Sequence, residues 1–340
     1  MIYRSKAPLR IGLAGGGTDV SPYADLYGGA ILNATISLSA YASIEPLNSM
    51  EIIVEALDRK ERQRFEWSPV LPINGELDLL KGVYNRIQKD FKLPLTGFRL
   101  STFVDAPAGS GLGTSSTLVV AILGAFVEML NLPLGDYDIA HLAYEIERYD
   151  IKLAGGRQDQ YAATFGGVNF MEFYENDKVI VNPLRIPPRY MHELENNLVL
   201  YFTATSRESA AIITEQVNNV NSKNEKSIEA MHQLKDQARM MKEALLKGRL
   251  NEFGEILDYG FQQKRLMAAN ISNSRIEEIY EAAKNAGATG GKISGAGGGG
   301  FMIFYCPGNT NYAVKDALLK FGGEVKKYSF IKYGLTSWNV

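Results

Sequence analysis

The sequence predicts an α+β protein of two domains, 1–190 and 191–340, and three observations carry that expectation. A chain of 340 residues exceeds the roughly 100–200 residues of a single average domain. Strand-like runs dominate its first quarter, whereas strands and helical patterns are mixed beyond residue 198. Between the halves, the proline-rich polar stretch RIPPRYMHELENN breaks both periodicities and sets the boundary near residues 186–196.

Taken in order, residues 2–14 and 29–56 are rich in Ile, Val, Thr, Tyr and Ser with partial alternation, which reads as strands. GELDLLKGVYNRIQKDF places apolar residues at helical spacing, and TGFRLSTFVDAP returns to strand character. The next helix, about 114–130, is apolar nearly all round and is therefore expected to be buried. A second helix follows over about 136–149, then GGVNFMEFY and DKVIVNPLRI as a hairpin. Past the boundary come the strand NLVLYFTAT, four helical patterns between about 208 and 285, a glycine cluster in GGKISGAGGGGFMIFYC, a helix near 311–321 and a final strand. No repeat of 20–50 residues is present.

The balance of 46% hydrophobic and 22% charged residues is that of a globular protein, and a net charge of -2 gives no electrostatic reason to expect nucleic acid or an acidic membrane as partner. One cysteine, Cys306, cannot form an intrachain disulfide, and MIYRSKAPLR lacks the apolar core of a signal peptide, so a cytoplasmic protein is expected. The most apolar run, LVVAILGAF from Leu118, meets Glu128 well before the roughly 20 residues a membrane span requires.

The segment DAPAGSGLGTSS, residues 105–116, joins a strand to the buried helix. Gly109, Gly111 and Gly113 would let backbone N–H groups approach an anion, and the helix start adds a favourable dipole. It is not a Walker loop, because Thr114 stands at the second glycine position and no lysine follows. The dinucleotide fingerprint fails at the same residue, and neither H-R-D nor D-F-G occurs. By pattern alone the loop is generic, and a tight connection capped by Thr114 or Ser115 is its plain alternative. KAPLRIGLAGGGTDVSPY and KISGAGGGGFMIF are also glycine-dense beside strand-like runs, which favours close backbone approach to a ligand or another loop.

In this order, APLRIGLAGGGTD, DAPAGSGLGTSST and KISGAGGGG resemble the three motifs of the GHMP kinase family, the small-molecule ATP-dependent kinases that include galactokinase, homoserine kinase and mevalonate kinase. Thr114 replaces the usual first serine after G-L-G, and Ser116 and Thr117 replace small alanines. The resemblance implies a two-domain GHMP kinase fold. Its N-terminal domain would be like domain two of a small-subunit ribosomal protein, its C-terminal domain ferredoxin-like, and its active site between them. It also implies ATP as co-substrate and Mg2+ as metal.

Carried onto this chain, the resemblance makes Pro107, Gly109, Ser110, Gly111, Leu112, Gly113, Thr114 and Ser115 the phosphate-binding loop, with Ser115, alone or together with Thr114, facing the magnesium. Glu147, twelve residues before Asp159, is the implied second metal ligand; Glu145 competes, and a solvated Glu147 or a pair with Arg148 is the plain alternative. Asp159 in GGRQDQ resembles the aspartate acting as general base in sugar kinases, though an aspartate here also suits a helix start. Arg10 matches the basic residue of the first motif that lies near that aspartate and stabilises charge; an interdomain salt bridge is its plain alternative.

Thr18 and Asp19 in GGGTD are the implied sugar contacts, with turn capping as the alternative for Asp19. Gly295, Gly297, Gly298 and Gly299 would pack beside the phosphates, with Lys292 a further source of charge. The GGGTD motif resembles the branch that phosphorylates the anomeric hydroxyl of sugars such as D-glycero-D-manno-heptose 7-phosphate, L-fucose being the alternative along with galactose. A substrate bearing a phosphate needs cations, for which Arg157 and Arg207 are the candidates and Lys6 and Lys264 weaker ones. His141, His192 and His232 show no metal-ligand spacing and receive no role. A silent relative that senses sugar and ATP is disfavoured by the retained Asp159, Glu147 and loop, and a homodimer is left open.

Overall fold

The computed structural model describes residues 1–92, 96–205 and 209–340, and it arranges them around two sheets. The first sheet holds eight strands, centred on β1 (Tyr3–Ala14) and the long β2 (Gly29–Leu47), which pair antiparallel. Strand β2 is long enough to serve two partners. Its residues Ala40–Leu47 pair with β5 (Gly97–Val104), and Gly29–Ala34 pair with β6 (Val168–Phe173). Beyond β5 lie β3 (Glu51–Ala56), parallel to it, and β4 (Glu61–Glu66); β6 continues into the expected hairpin with β7 (Val179–Pro183). Strand β4, Glu-Arg-Gln-Arg-Phe-Glu, escaped the sequence pattern because five of its six side chains are polar and it borders solvent.

Alternation on β1 decides what each face meets. Leu9, Ile11 and Leu13 enter a core shared with the second half of the chain, which leaves Arg10 and Gly12 on the other face. On β2 the same core takes Ala30, Leu32, Ala34 and Ile36. Against the opposite side pack α2 (Asp78–Phe91), α3 (Thr114–Leu130), α4 (Asp136–Glu145) and α5 (Gln158–Phe165), while a short α1 (Tyr23–Tyr27) precedes β2. Helix α3 is buried nearly all round, as its composition requires. The expected helix over 136–149 is α-helical only to Glu145. It continues as a π-helical turn, Ile146–Asp150, closed by Ile151 N–H donating to the Ile146 carbonyl at 2.9 Å.

The stretch at 186–196, expected as the domain boundary, holds a helix, α6 (Pro188–Asn197). Pro188 occupies its first turn, where a missing N–H carries no penalty. Four antiparallel strands follow in the order β11-β8-β10-β9: β8 (Leu198–Phe202), β9 (Gly290–Ile293), β10 (Phe301–Tyr305) and β11 (Glu324–Lys326). Helices α7 (Ser209–Asn221), α8 (Glu225–Lys247), α9 (Asn251–Met267), α10 (Ser274–Asn285) and α11 (Thr310–Leu319) accompany this ferredoxin-like sheet. The final strand, β12 (Thr336–Asn339), returns to the first sheet and pairs with β1. Among the described residues, no helix is long and apolar enough to cross a membrane.

Candidate active site

The three glycine-rich segments of the sequence meet. Residues 105–113 connect β5 to α3, anchored by Ala106 and Leu112 in the core shared by both halves. Gly111 has φ of 82°, and a Cβ there would fall 2.6 Å from the Ser294 carbonyl oxygen of the C-terminal glycine segment. Ser294 Oγ donates to the Gly111 carbonyl at 2.8 Å, and Phe301 N–H donates to the Ser110 carbonyl at 2.8 Å. Backbone lies against backbone here, which only glycine permits.

Beside that junction opens a cleft of about 710 Å³. Its lining includes Gly109, Gly111, Gly113, Thr114, Ser115 and Ser116 from the loop and α3. The first intrahelical bond closed after Gly113 runs from Thr117 N–H to the Gly113 carbonyl at 2.9 Å, so the amides of Thr114, Ser115 and Ser116 precede it and face the dipole's positive end. The residue that caps α3 is Gly113, so Thr114 and Ser115 fall inside the first turn and the alternative of a cap by either is not realised. Ser110 is corrected from a phosphate donor to a structural residue: its amide donates to the Pro107 carbonyl at 3.2 Å and its side chain is fully buried. Pro107 closes that turn and does not line the cleft.

Arg10 and Asp159 face each other across the cleft floor. Arg10 Nε donates to Asp159 Oδ1 at 2.7 Å, and Nη1 donates to the Gly111 carbonyl at 2.7 Å. Asp159 sits in the first turn of α5, so its helix-start position and its place in the cleft coexist. A Cβ on Gly113, whose φ is 79°, would lie 3.0 Å from Asp159 Cγ; the missing side chain lets the carboxylate reach the loop.

Glu147 lies on the π-helical turn and is buried, which excludes a solvated charge. Gln160 Nε2 donates to Glu147 and, at 3.1 Å, to Ser116 Oγ, while Arg148 Nη1 stands 3.8 Å away. Burial pushes the Glu147 carboxyl above its ordinary range, with Arg148 opposing. The pair with Arg148 that the sequence offered as the alternative is thus present, at long range, and a buried carboxylate beside serine hydroxyls also suits a hard cation, since Mg2+ commonly takes one or two carboxylates plus phosphate oxygens. Among the described residues no three His, Cys, Asp or Glu side chains converge, so further ligands would come from hydroxyls and phosphate. Glu145 is turned to Arg86 outside the cleft and is no competitor.

Asp19 is buried and lines the cleft, and its Oδ2 accepts from the backbone N–H groups of Arg157 at 2.9 Å and Gln158 at 3.0 Å. It therefore caps α5 from a distant segment while bordering the site. Burial raises its carboxyl above the usual range, with the Gln158 amide opposing. Thr18 is corrected: its hydroxyl is spent on the carbonyls of Gly15 at 2.8 Å and Ala30 at 3.0 Å, outside the cleft.

Arg157 is corrected too. Its guanidinium turns from the cleft to Asp25 at 2.6 Å, Asp177 at 3.1 Å, Ser21 Oγ and the Tyr174 carbonyl, which consume the charge proposed for a substrate phosphate. Arg207 lies outside the described residues. Lys6 stands over the Tyr41 ring, away from the cleft. In the glycine cluster Gly295 lines the cleft, whereas Gly297 and Gly298 pack on Ile271 and Gly299 on Thr205, and these three do not line it. Lys292 Nζ is buried and donates to the Gly12 carbonyl at 3.0 Å.

Three residues of the site were missed or undervalued. Ser116 and Gln160 are adjacent to or within the quoted motifs, and only packing reveals that they bracket Glu147. Lys264 lines the cleft, and its signal was legible: it falls on the buried stripe of α9 with Phe253, Ile256, Leu257, Gly260, Phe261 and Met267.

A helix start and glycine backbone facing an arginine-held aspartate, in a cleft between a mixed sheet and a ferredoxin-like unit, define a small-molecule kinase of the GHMP type. Residues 78–167 match the GHMP kinases N terminal domain and residues 241–324 the GHMP kinases C terminal family, and the chain belongs to this family of ATP-dependent kinases. Over 337 residues, 99% of each chain, it is 48% identical to the D-glycero-alpha-D-manno-heptose 7-phosphate kinase of Campylobacter jejuni. The crystal structure of a D-glycero-D-manno-heptose 1-phosphate kinase from Bacteroides thetaiotaomicron superposes with a TM-score of 0.85 at 48% identity, covering 99% of both chains. The Lactococcus lactis galactokinase complexed with galactose shares the fold at a TM-score of 0.77 and 20% identity, over 98% of this chain and 95% of that one.

Proposed function

We propose that the protein transfers the γ-phosphoryl group of ATP to the anomeric hydroxyl of D-glycero-D-manno-heptose 7-phosphate, giving the 1,7-bisphosphate. The observation that carries this reading is Asp159, held by Arg10 and pressed against Gly113 at the mouth of the phosphate loop. The choice of sugar is supported by the 48% identity to the Campylobacter heptose 7-phosphate kinase over nearly the whole chain.

Phosphoryl transfer asks mainly for positioning and charge stabilisation. The amides of Thr114, Ser115 and Ser116 and the glycine backbone of the loop would hold the phosphates without a P-loop lysine. Asp159 Oδ accepts the proton of the attacking hydroxyl, while Arg10 fixes the carboxylate and, through the Gly111 carbonyl, its distance from the loop. Glu147 with Ser115 and Ser116 would hold Mg2+, which when bound offsets the charge of the phosphate oxygens. Asp19, which lines the cleft, would accept a hydrogen bond from a sugar hydroxyl through the oxygen not committed to α5.

The names of the two 48%-identical relatives place a phosphate at different carbons, so the deciding experiment reads both position and substrate. ADP formation is measured with heptose 7-phosphate, heptose 1-phosphate, L-fucose and galactose, and the product is examined by phosphorus NMR. Turnover of heptose 7-phosphate with a new anomeric phosphate is expected. Preference for heptose 1-phosphate or a neutral sugar would overturn the substrate, and no turnover on any sugar would overturn the reading.

A further inference from the structure

We propose that Lys264 is a phosphate-oxyanion ligand of the cleft, supplied by the C-terminal unit, for either the phosphate being transferred or the one the sugar already carries. The inference rests on the kinase reading above and adds a residue to it.

The buried stripe of α9 should be apolar, yet Lys264 occupies it and is only 3% exposed. A buried ammonium is costly unless paired. Nζ has three N–H donors, and among the described residues it has one acceptor, the Gly295 carbonyl, and no carboxylate within ion-pair distance. The side chain borders the cleft alongside Gly17, Asp19, Gln216 and Gly295.

Among the described residues, negative charge in the surroundings is limited to Asp19 and to Asp159. Lys264 Nζ and Lys292 Nζ lie 3.6 Å and 3.9 Å from the point where a Gly16 side chain would begin, so two lysine amino groups flank one glycine, and burial, with Lys264 and Arg10 adding to it, holds that of Lys292 well below the ordinary lysine range. Arg10 adds a third cation and is already matched by Asp159, while Asp19 is committed to the start of α5. Burial, with Arg10 adding to it and Asp19 opposing, pushes the Lys264 ammonium down to about 8. Gly16 lies against this ammonium without a side chain, and Gly295 accepts from it through its backbone carbonyl. A phosphate oxygen supplies the missing acceptor and charge at once.

The test is calorimetric titration of the wild type, Lys264→Met and Lys264→Arg with Mg–AMP-PNP and, separately, with heptose 7-phosphate. Lys264→Gln serves in place of Lys264→Met if the latter fails to fold. Neutralising Lys264 is expected to weaken one ligand by about tenfold or more, with Lys264→Arg retaining most of the affinity. Loss confined to Mg–AMP-PNP assigns the ammonium to the transferred phosphate, and loss confined to heptose 7-phosphate assigns it to the carried one. Unchanged affinity for both in a folded neutral variant overturns the proposal. Wild-type turnover judges the kinase reading separately: if the wild type turns over no sugar while the variant still loses Mg–AMP-PNP, that reading falls and the phosphate ligand stands.

Discussion

Arg10 and Asp159, separated by 149 positions in the chain, form an ion pair at 2.7 Å whose arginine also grips the Gly111 carbonyl. Arg10 comes from the strand face opposite Leu9 and Ile11, and Asp159 from the first turn of α5. One guanidinium thus ties the proposed base to the loop proposed to hold ATP. Its side chain is almost wholly buried, whereas that of Asp159 keeps about a quarter of its surface open to the cleft, with 23% exposed.

Asp159→Asn keeps the shape and removes the proton acceptor. We expect kcat to fall by about 10²–10⁴-fold while affinity for AMP-PNP changes little, with a lower melting temperature because the buried Arg10 keeps its charge and loses its carboxylate partner. Steady-state kinetics beside calorimetric binding check this, and undiminished kcat would remove Asp159 as base.

Arg10→Met strips a buried partner from both Asp159 and the Gly111 carbonyl. A loss of about 2–3 kcal/mol in unfolding free energy is expected, read from the urea midpoint, together with a drop in kcat. Arg10→Lys should recover charge but not both contacts, since a single ammonium lacks the guanidinium fork. Full recovery by lysine would show that charge alone matters.

Gly113→Ala combines a left-handed backbone with a Cβ 3.0 Å from Asp159 Cγ. Backbone strain of about 1–2 kcal/mol is expected, plus a loss of kcat/KM because the carboxylate must move. Gly308→Ala is the control, with φ of 62° and open space around it. It should show the strain in thermal melting and leave kcat/KM intact; equal kinetic loss in both would refute the steric account.

Lys264 gives a pH signature in the ligand-free protein. Its ammonium sits near 8 when folded against an ordinary 10.5, so below pH 8 both states are protonated and the cost of burial is fully present. Between pH 8 and 10.5 the unfolded chain holds a proton that the folded chain has released, and stability rises. Burial sets this first, with Arg10 adding to it and Asp19 opposing. Lys264→Met should therefore stabilise the protein at pH 7 by a few kcal/mol, with the gain shrinking toward pH 10.5. Urea unfolding at the two pH values measures it, and a gain independent of pH would contradict a buried charge.

The contrast between Asp159 and Arg157 explains how much of the site was legible. Both belong to the same quoted segment, but Arg157 is the residue before the first turn of α5, and its side chain leaves toward Asp25 and Asp177. The acids that capture it stand at residues 25 and 177, which no local pattern connects to GGRQDQ. Thr18 beside Asp19 behaves likewise, spent on the backbone of its own turn and of β2. Lys264 erred the other way, because a lysine is ordinarily discounted as solvated although its spacing placed it on a buried stripe.

By itself the sequence determined the strand–loop–helix unit around residues 97–130, the burial of α3, the mixed second half and the three glycine segments. Each follows from periodicity or from the conformations that only glycine adopts, which are local properties. Tertiary structure decided that Gly111 touches Ser294, that Glu147 on its π-helical turn meets Ser116 and Gln160, that β12 rejoins β1, and which cations face the cleft. Those relations depend on which distant surfaces exclude water together, and chain spacing carries no record of that.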